Sequence, residues 1–139
     1  EVDMIKAVEN ATGVRPLETY LGEINLFAVF NNEDIISNIN PNFDAVSKLD
    51  GQGLIISSTS NQHDFVSRYF CPKYGINEDP VTGSAHCTLT PYWSKKLGKT
   101  KLKAQQLSSR GGLLSCELKE DQVYILGRAI TYLKGSIVL

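Results

Sequence analysis

Glu78-Asp79-Pro80-Val81-Thr82-Gly83-Ser84-Ala85-His86 packs a carboxylate pair, a proline, two hydroxyls and a glycine into one short run, and an apolar helical pattern follows directly. Asp79 then Pro80 reads as a helix N-cap followed by proline at the first helical position, where the missing N–H costs nothing. A helix start presents unpaired backbone N–H groups and a partial positive charge, so it can hold an anion. Gly83 removes the side chain that would keep a ligand off those donors. Ser84 and Thr82 add hydroxyls, and Asp79 adds a group able to move a proton. The combination points to chemistry on a carboxylate-bearing small molecule.

The helix that this run opens, Ser84 to Leu97, sits among short strands. Ala85, Leu89, Trp93 and Leu97 form its apolar stripe, with Cys87 and Tyr92 to either side, while Pro91 predicts a kink by deleting one backbone hydrogen bond. Upstream, Met4, Ile5, Val8 and Ala11 fall at helical spacing, and Thr12-Gly13 supplies a stop. The segments 17–20, 25–30, 35–39, 54–58 and 65–71 read as strands, with a tight turn near Gly22-Glu23 and a short helix over 43–49. The segments 101–107, 113–118, 122–126 and 129–139 read as further strands, with hairpin signals at Gly111-Gly112 and Glu120-Asp121. Helices do not alternate regularly with strands, which argues against a doubly wound parallel sheet. The pattern predicts an α+β domain: a curved, mostly antiparallel sheet or barrel wrapped around a central helix.

The 139 residues fit one domain with a sizeable core, and 42% hydrophobic with 21% charged residues is ordinary globular composition. The net charge of -1 comes with no basic cluster, so nucleic acid and a polybasic membrane contact are excluded as expected partners. No apolar run is long enough to span a bilayer. Cys71, Cys87 and Cys116 form neither a CxxC motif nor a disulfide framework, which predicts reduced thiols in a cytoplasmic protein. His86 beside Cys87 invites a nucleophile reading, but neighbours on a helix point about 100° apart, which favours packing. His63 and His86 lack partners at ligand spacing, so no metal site is expected.

Asp64-Phe65, Arg68-Tyr69-Phe70, Gly75-Ile76, the run 78–86, Tyr92-Trp93 and Leu97-Gly98-Lys99 together resemble the PhzF-type phenazine-biosynthesis-like family. Ala104, Gln106, Ser108 and Arg110-Gly111-Gly112 continue the match, so it covers essentially the whole chain. The resemblance implies a diaminopimelate-epimerase-like fold, in which two similar lobes each curve a sheet around a helix and the two helix N-termini face one cleft. It implies a cofactor-independent isomerase that moves a proton on a small carboxylate-bearing substrate, without metal or nucleotide. Carried over by residue, Asp79 becomes the proton-handling or orienting carboxylate, and Gly83 and Ser84 bind substrate through N–H and hydroxyl groups. The family's catalytic glutamate, from the N-terminal lobe, has no matching motif here. Residues 1–139 therefore resemble a single C-terminal lobe whose N-terminal lobe is absent.

Other readings stay open beside this one. Asp79 can be a simple acidic cap, and acid, base and orienter remain alternative roles. Thr82 can bind substrate through its hydroxyl. Arg110 can steady a carboxylate or be a charged turn residue, and His86 can be a base or a hydrogen-bonded structural residue. Glu78 reads as a solvated charge, and Tyr92 and Trp93 read as core. A different class of function also fits: a non-catalytic carboxylate-binding or interaction module. In that case the apolar face left by the missing lobe would pair with a second copy as a homodimer.

Overall fold

The computed structural model of the chain describes residues 4–138; the parts of the sequence-based reading that fall on Glu1–Asp3 and Leu139 lie outside them. Its elements run α1 (Ile5–Thr12), β1 (Glu18–Leu21), β2 (Leu26–Val29), α2 (Glu33–Asn38), α3 (Phe43–Val46), β3 (Leu54–Thr59) and β4 (Phe65–Phe70). A 3-10 turn (Pro72–Tyr74) precedes α4 (Gly83–Leu97), which is followed by β5 (Lys101–Gln106), β6 (Gly112–Lys119) and β7 (Gln122–Leu126). The seven strands form one sheet in chain order. β2 with β3 and β4 with β5 pair in parallel, and the other neighbours are antiparallel. The expected α+β domain with a mostly antiparallel sheet is what the chain forms.

The two parallel joins decide where the helices go, because each needs a crossover. One crossover carries α2 and α3, and the other carries α4. β4 runs opposite to β2, so crossovers of the same preferred hand fall on opposite faces of the sheet. Two cores result. Leu26, Ala28, Leu54, Ile56, Val66 and Phe70 face α1, α2 and α3, whereas Phe27, Val29, Ile55, Phe65 and Tyr69 face α4. Every residue of β2 is buried for this reason. The sheet therefore curves around α4 on one side only and carries a second helical layer on the other.

α4 is held by Ala85, Leu89 and Trp93, all buried, a side chain the size of Leu89 contributing about 1.5–3 kcal/mol when withdrawn from water and the Ala85 methyl less than about 1 kcal/mol. The Trp93 ring stacks on Phe65 with centroids 5.9 Å apart, and its indole N–H donates to Ser57 Oγ at 2.9 Å. Leu97, expected on that stripe, is 37% exposed instead. The buried arc turns toward His86, Thr90 and Ser94, which are polar. The helix runs on through Pro91 and ends at Gly98, whose left-handed φ of 67° suits glycine.

Three sequence-based assignments are corrected. The segment 35–39 is not a strand: α2 occupies 33–38, because the Asn32 side chain accepts from the Ile35 N–H at 3.0 Å and starts a helix there. Residues 129–138 are not a strand either. β7 ends at Leu126, the segment that follows joins none of the strands among the described residues, and Ile130 and Tyr132 are exposed at 93% and 97%. Finally, Asp79 and Pro80 do not open the central helix. Its N-cap is Thr82, and residues 78 and 79 are drawn back onto the end of β4 by a bridge between Phe70 and Glu78 and by the Asp79 N–H, which donates to the Tyr69 carbonyl at 3.0 Å.

Candidate functional site

The link from β4 to α4 is anchored first by charge. Arg68 donates to both carboxylate oxygens of Glu78, at 2.7 and 3.0 Å, and its Nη1 donates to the carbonyls of Ile39 and Ile36 at 2.6 and 3.2 Å. Glu78 is thus not a solvated charge: it is paired bidentately in a mostly buried setting, while Arg68 also satisfies carbonyls at the end of α2. This clamp fixes the backbone immediately before Asp79.

Thr82 is the N-cap residue of α4, yet its side chain caps nothing. An N-cap hydroxyl ordinarily accepts from the N–H two or three residues on, here Ser84 or Ala85. The Thr82 Oγ1 instead donates to Asp79 Oδ2 at 2.5 Å. The first N–H groups of α4 are therefore left without a side-chain cap beside a carboxylate. Gly83 and Ser84 are exposed at this point. A Cβ placed on Gly83 would meet nothing within 4 Å, so the space over the helix start is open.

Behind the helix start, Gln106 of β5 is fully buried and binds Thr82 and Asp79. Ser108 donates to the Pro80 carbonyl at 2.6 Å and accepts from the Gly111 N–H at 3.0 Å, tying the loop after β5 to the same run. Gly112 lets Val81 pack closely, since a Cβ there would come within 2.4 Å of Val81 Cγ2. Leu102, Ala104 and Gln106 all face inward on β5, and a glutamine in an otherwise apolar inward row is the sequence signal that marks it.

A groove of about 1020 Å³ opens beside the helix start, lined by Val81, Gly83, Arg110, Gly112, Leu113 and Arg128 among others. Arg110 is exposed on its wall. Asp79 and Ser84 are not among the lining residues. His86 lies inside the fold, fully buried, with Nδ1 2.7 Å from the Thr82 carbonyl and its ring 5.9 Å from Phe65. A carbonyl only accepts, so Nδ1 carries the proton, and burial holds the imidazole below its ordinary pKa despite that hydrogen bond. His86 is thus a neutral structural histidine beneath the site. Cys87 is exposed while His86 is buried, so the two diverge as helical neighbours should. Burial pushes the Cys71 and Cys116 thiols up, which keeps them protonated. Among the described residues, no group of three His, Cys, Asp or Glu side chains converges as a metal site, and no helix is long and apolar enough to cross a membrane.

The structure thus gathers Asp79, Thr82, Gly83 and Ser84 at one helix end, sets Arg110 on the adjoining groove and takes His86 into the core. The sequence profile of the PhzC-PhzF phenazine biosynthesis-like proteins matches residues 3–135. The chain belongs to the PhzC-PhzF family. Among family members, an uncharacterized isomerase of Halalkalibacterium halodurans is 43% identical over 91% of this chain and 49% of its own length. A second uncharacterized isomerase, from Pseudomonas aeruginosa, is 41% identical over 100% of the chain and 53% of its own length. The crystal structure of a PhzF-family phenazine biosynthesis protein of Enterococcus faecalis superposes with a TM-score of 0.92 at 46% identity, covering 99% of this chain and 53% of that one. The chain therefore spans about half the length of the PhzF-family relatives it matches.

Proposed function

We propose that this chain is one lobe of an isomerase that moves a proton on a small carboxylate-bearing substrate without a cofactor. The observation that carries the reading is the diverted N-cap of α4: the Thr82 hydroxyl goes to Asp79, leaving helix-start donors open beside a fixed carboxylate. The substrate carboxylate is held by the N–H groups of Gly83 and Ser84 and by the Ser84 hydroxyl, where the helix dipole favours negative charge. Asp79 handles or orients the migrating proton, and Thr82 positions Asp79 rather than touching substrate. Arg110 contributes attraction from the groove wall. The isomerase names of two relatives support the reaction class.

A proton shift needs one positioned group to remove a proton and a route to return it. One helix end supplies only part of that, so the second group comes from the other lobe of a protein twice this length. Two lobes meeting over the helix start would also shield the reacting atoms from water. The test is solvent deuterium exchange into a cyclohexadiene or anthranilate-type carboxylate. The two-lobed protein incorporates deuterium, the 139-residue chain alone does not, and exchange by the single chain would overturn the division of labour.

The alternative is a carboxylate-binding or interaction module without turnover, paired with a second copy. Binding of an anthranilate analogue that is lost in Ser84→Ala, with no deuterium exchange by the two-lobed protein, would favour it.

A further inference from the structure

We propose that Gln106 is the positioning residue that keeps the start of α4 open for an anion, by holding the Thr82 hydroxyl away from its natural cap position; this rests on the carboxylate-binding reading above. Gln106 is 0% exposed, and both ends of its amide are used. Its Oε1 accepts from the Thr82 N–H at 2.8 Å, while Nε2 donates to the Asp79 carbonyl at 2.8 Å and to Thr82 Oγ1 at 3.1 Å. The orientation of the amide follows from its partners. A flipped amide would set NH2 against an N–H and oxygen against a carbonyl.

The bond to Thr82 Oγ1 has a consequence for direction. With Gln106 Nε2 donating into that oxygen, the Thr82 proton must point elsewhere, and Asp79 Oδ2 receives it at 2.5 Å. One buried amide thus sets the sense of a three-member chain, from Gln106 through Thr82 to Asp79. The same hold keeps the Thr82 hydroxyl from turning to the Ala85 N–H, which is where an N-cap threonine ordinarily bonds. Without Gln106 the hydroxyl is free to make that cap, which covers the anion site and releases Asp79 together. Ser108 steadies the backbone of the same loop, its hydroxyl bonding the Pro80 carbonyl and the Gly111 N–H rather than the Thr82 or Asp79 side chain.

The test uses amide hydrogen exchange and benzoate titration of this chain by NMR. In the wild type, benzoate shifts the Gly83 and Ser84 amides, and the Ala85 amide, buried but uncapped by Thr82, sets the reference exchange rate. In Gln106→Leu, the Ala85 amide exchanges about tenfold more slowly and benzoate binds about tenfold more weakly, the scale of one capping bond. Adding Thr82→Val removes the intruding hydroxyl, so protection at Ala85 disappears and benzoate affinity recovers to within about threefold of wild type. A merely structural role for Gln106 predicts no such recovery. Gln106→Glu keeps an acceptor for the Thr82 N–H but loses the donor to the hydroxyl, and it behaves as the leucine variant does. Unchanged Ala85 exchange in both single variants overturns the proposal, even where benzoate binds. Should neither variant fold, rapid exchange of the Gln106 side-chain amide protons in the wild type overturns it equally. If Ala85 behaves as expected but benzoate never shifts Gly83, the carboxylate reading fails and the positioning role of Gln106 stands.

Discussion

The hydroxyl of Thr82 donates to Asp79 Oδ2 across 2.5 Å instead of capping the helix it begins. This one bond couples an open set of backbone donors to a carboxylate, and under the proposed function it separates binding from proton handling between neighbouring residues. Thr82→Val should therefore leave carboxylate affinity within about threefold of wild type, because the helix-start N–H groups stay uncapped. In the two-lobed protein the same change should slow deuterium exchange about 10–100-fold, the worth of a hydrogen bond to a charged group. Thr82→Ser keeps the hydroxyl and should behave nearly as wild type. Equal losses in affinity and turnover in Thr82→Val would contradict this split.

Arg68 and Glu78 join α2, β4 and the site loop through one buried ion pair. Removing the guanidinium in Arg68→Ala leaves the Glu78 carboxylate and two carbonyls without their donor, which should cost about 3–5 kcal/mol. Urea unfolding followed by circular dichroism measures it. A loss below about 1 kcal/mol would place the pair among exposed salt bridges of little weight.

His86 makes stability depend on pH with a definite sign. Its folded-state pKa lies below the unfolded value, so the unfolded chain takes up a proton that the folded chain refuses. The contribution is fully present above the unfolded pKa of about 6.5 and is lost as pH falls below it toward the folded pKa. As pH falls below about 6.5 the unfolding free energy should drop, by at most about 1.4 kcal/mol per pH unit from this group, until the folded chain also takes up the proton. His86→Asn, whose amide nitrogen takes the place of Nδ1 as donor toward the Thr82 carbonyl, should show a flatter profile in urea unfolding at pH 7, 6 and 5. Identical slopes for the two proteins would rule out His86 as the source.

Gly112 is needed for space. An alanine there brings a Cβ to 2.4 Å from Val81 Cγ2, and valine has no flexible end with which to yield. Gly112→Ala should cost about 1–3 kcal/mol by overpacking. It should also displace Val81 and weaken benzoate binding at Gly83, as read by amide shifts. A neutral effect on both would show that the wall of the groove adapts freely.

Much of this was legible in the chain itself. The hairpin signal at Glu120-Asp121 and the stops at Gly13 and Gly98 are local, so residue type alone reveals them. The helix at 33–38 was missed although Ile35, Ile36 and Ile39 fall at helical spacing, because β-branched isoleucines also suit a strand, and the deciding signal was the cap at Asn32. The start of α4 was misplaced for the opposite reason. Asp79-Pro80 has good capping chemistry, but its backbone is claimed by β4 through Tyr69, a partner ten residues away. The segment expected as a strand over 129–138 has strand-like composition, yet it pairs with neither free edge of the sheet, β1 or β7.

By itself the sequence determined the fold class, the central helix, the family resemblance and the short run that carries the site, because periodicity, caps and motif spacing are properties of neighbouring residues. Only the tertiary structure decided how that run works. It pairs Glu78 with Arg68, buries His86 against the Thr82 carbonyl, and turns Thr82 from a cap into a donor for Asp79. Each of these depends on a residue from another strand or on burial, Gln106 above all. Which of two competing hydrogen bonds a hydroxyl makes is settled by what the fold places next to it.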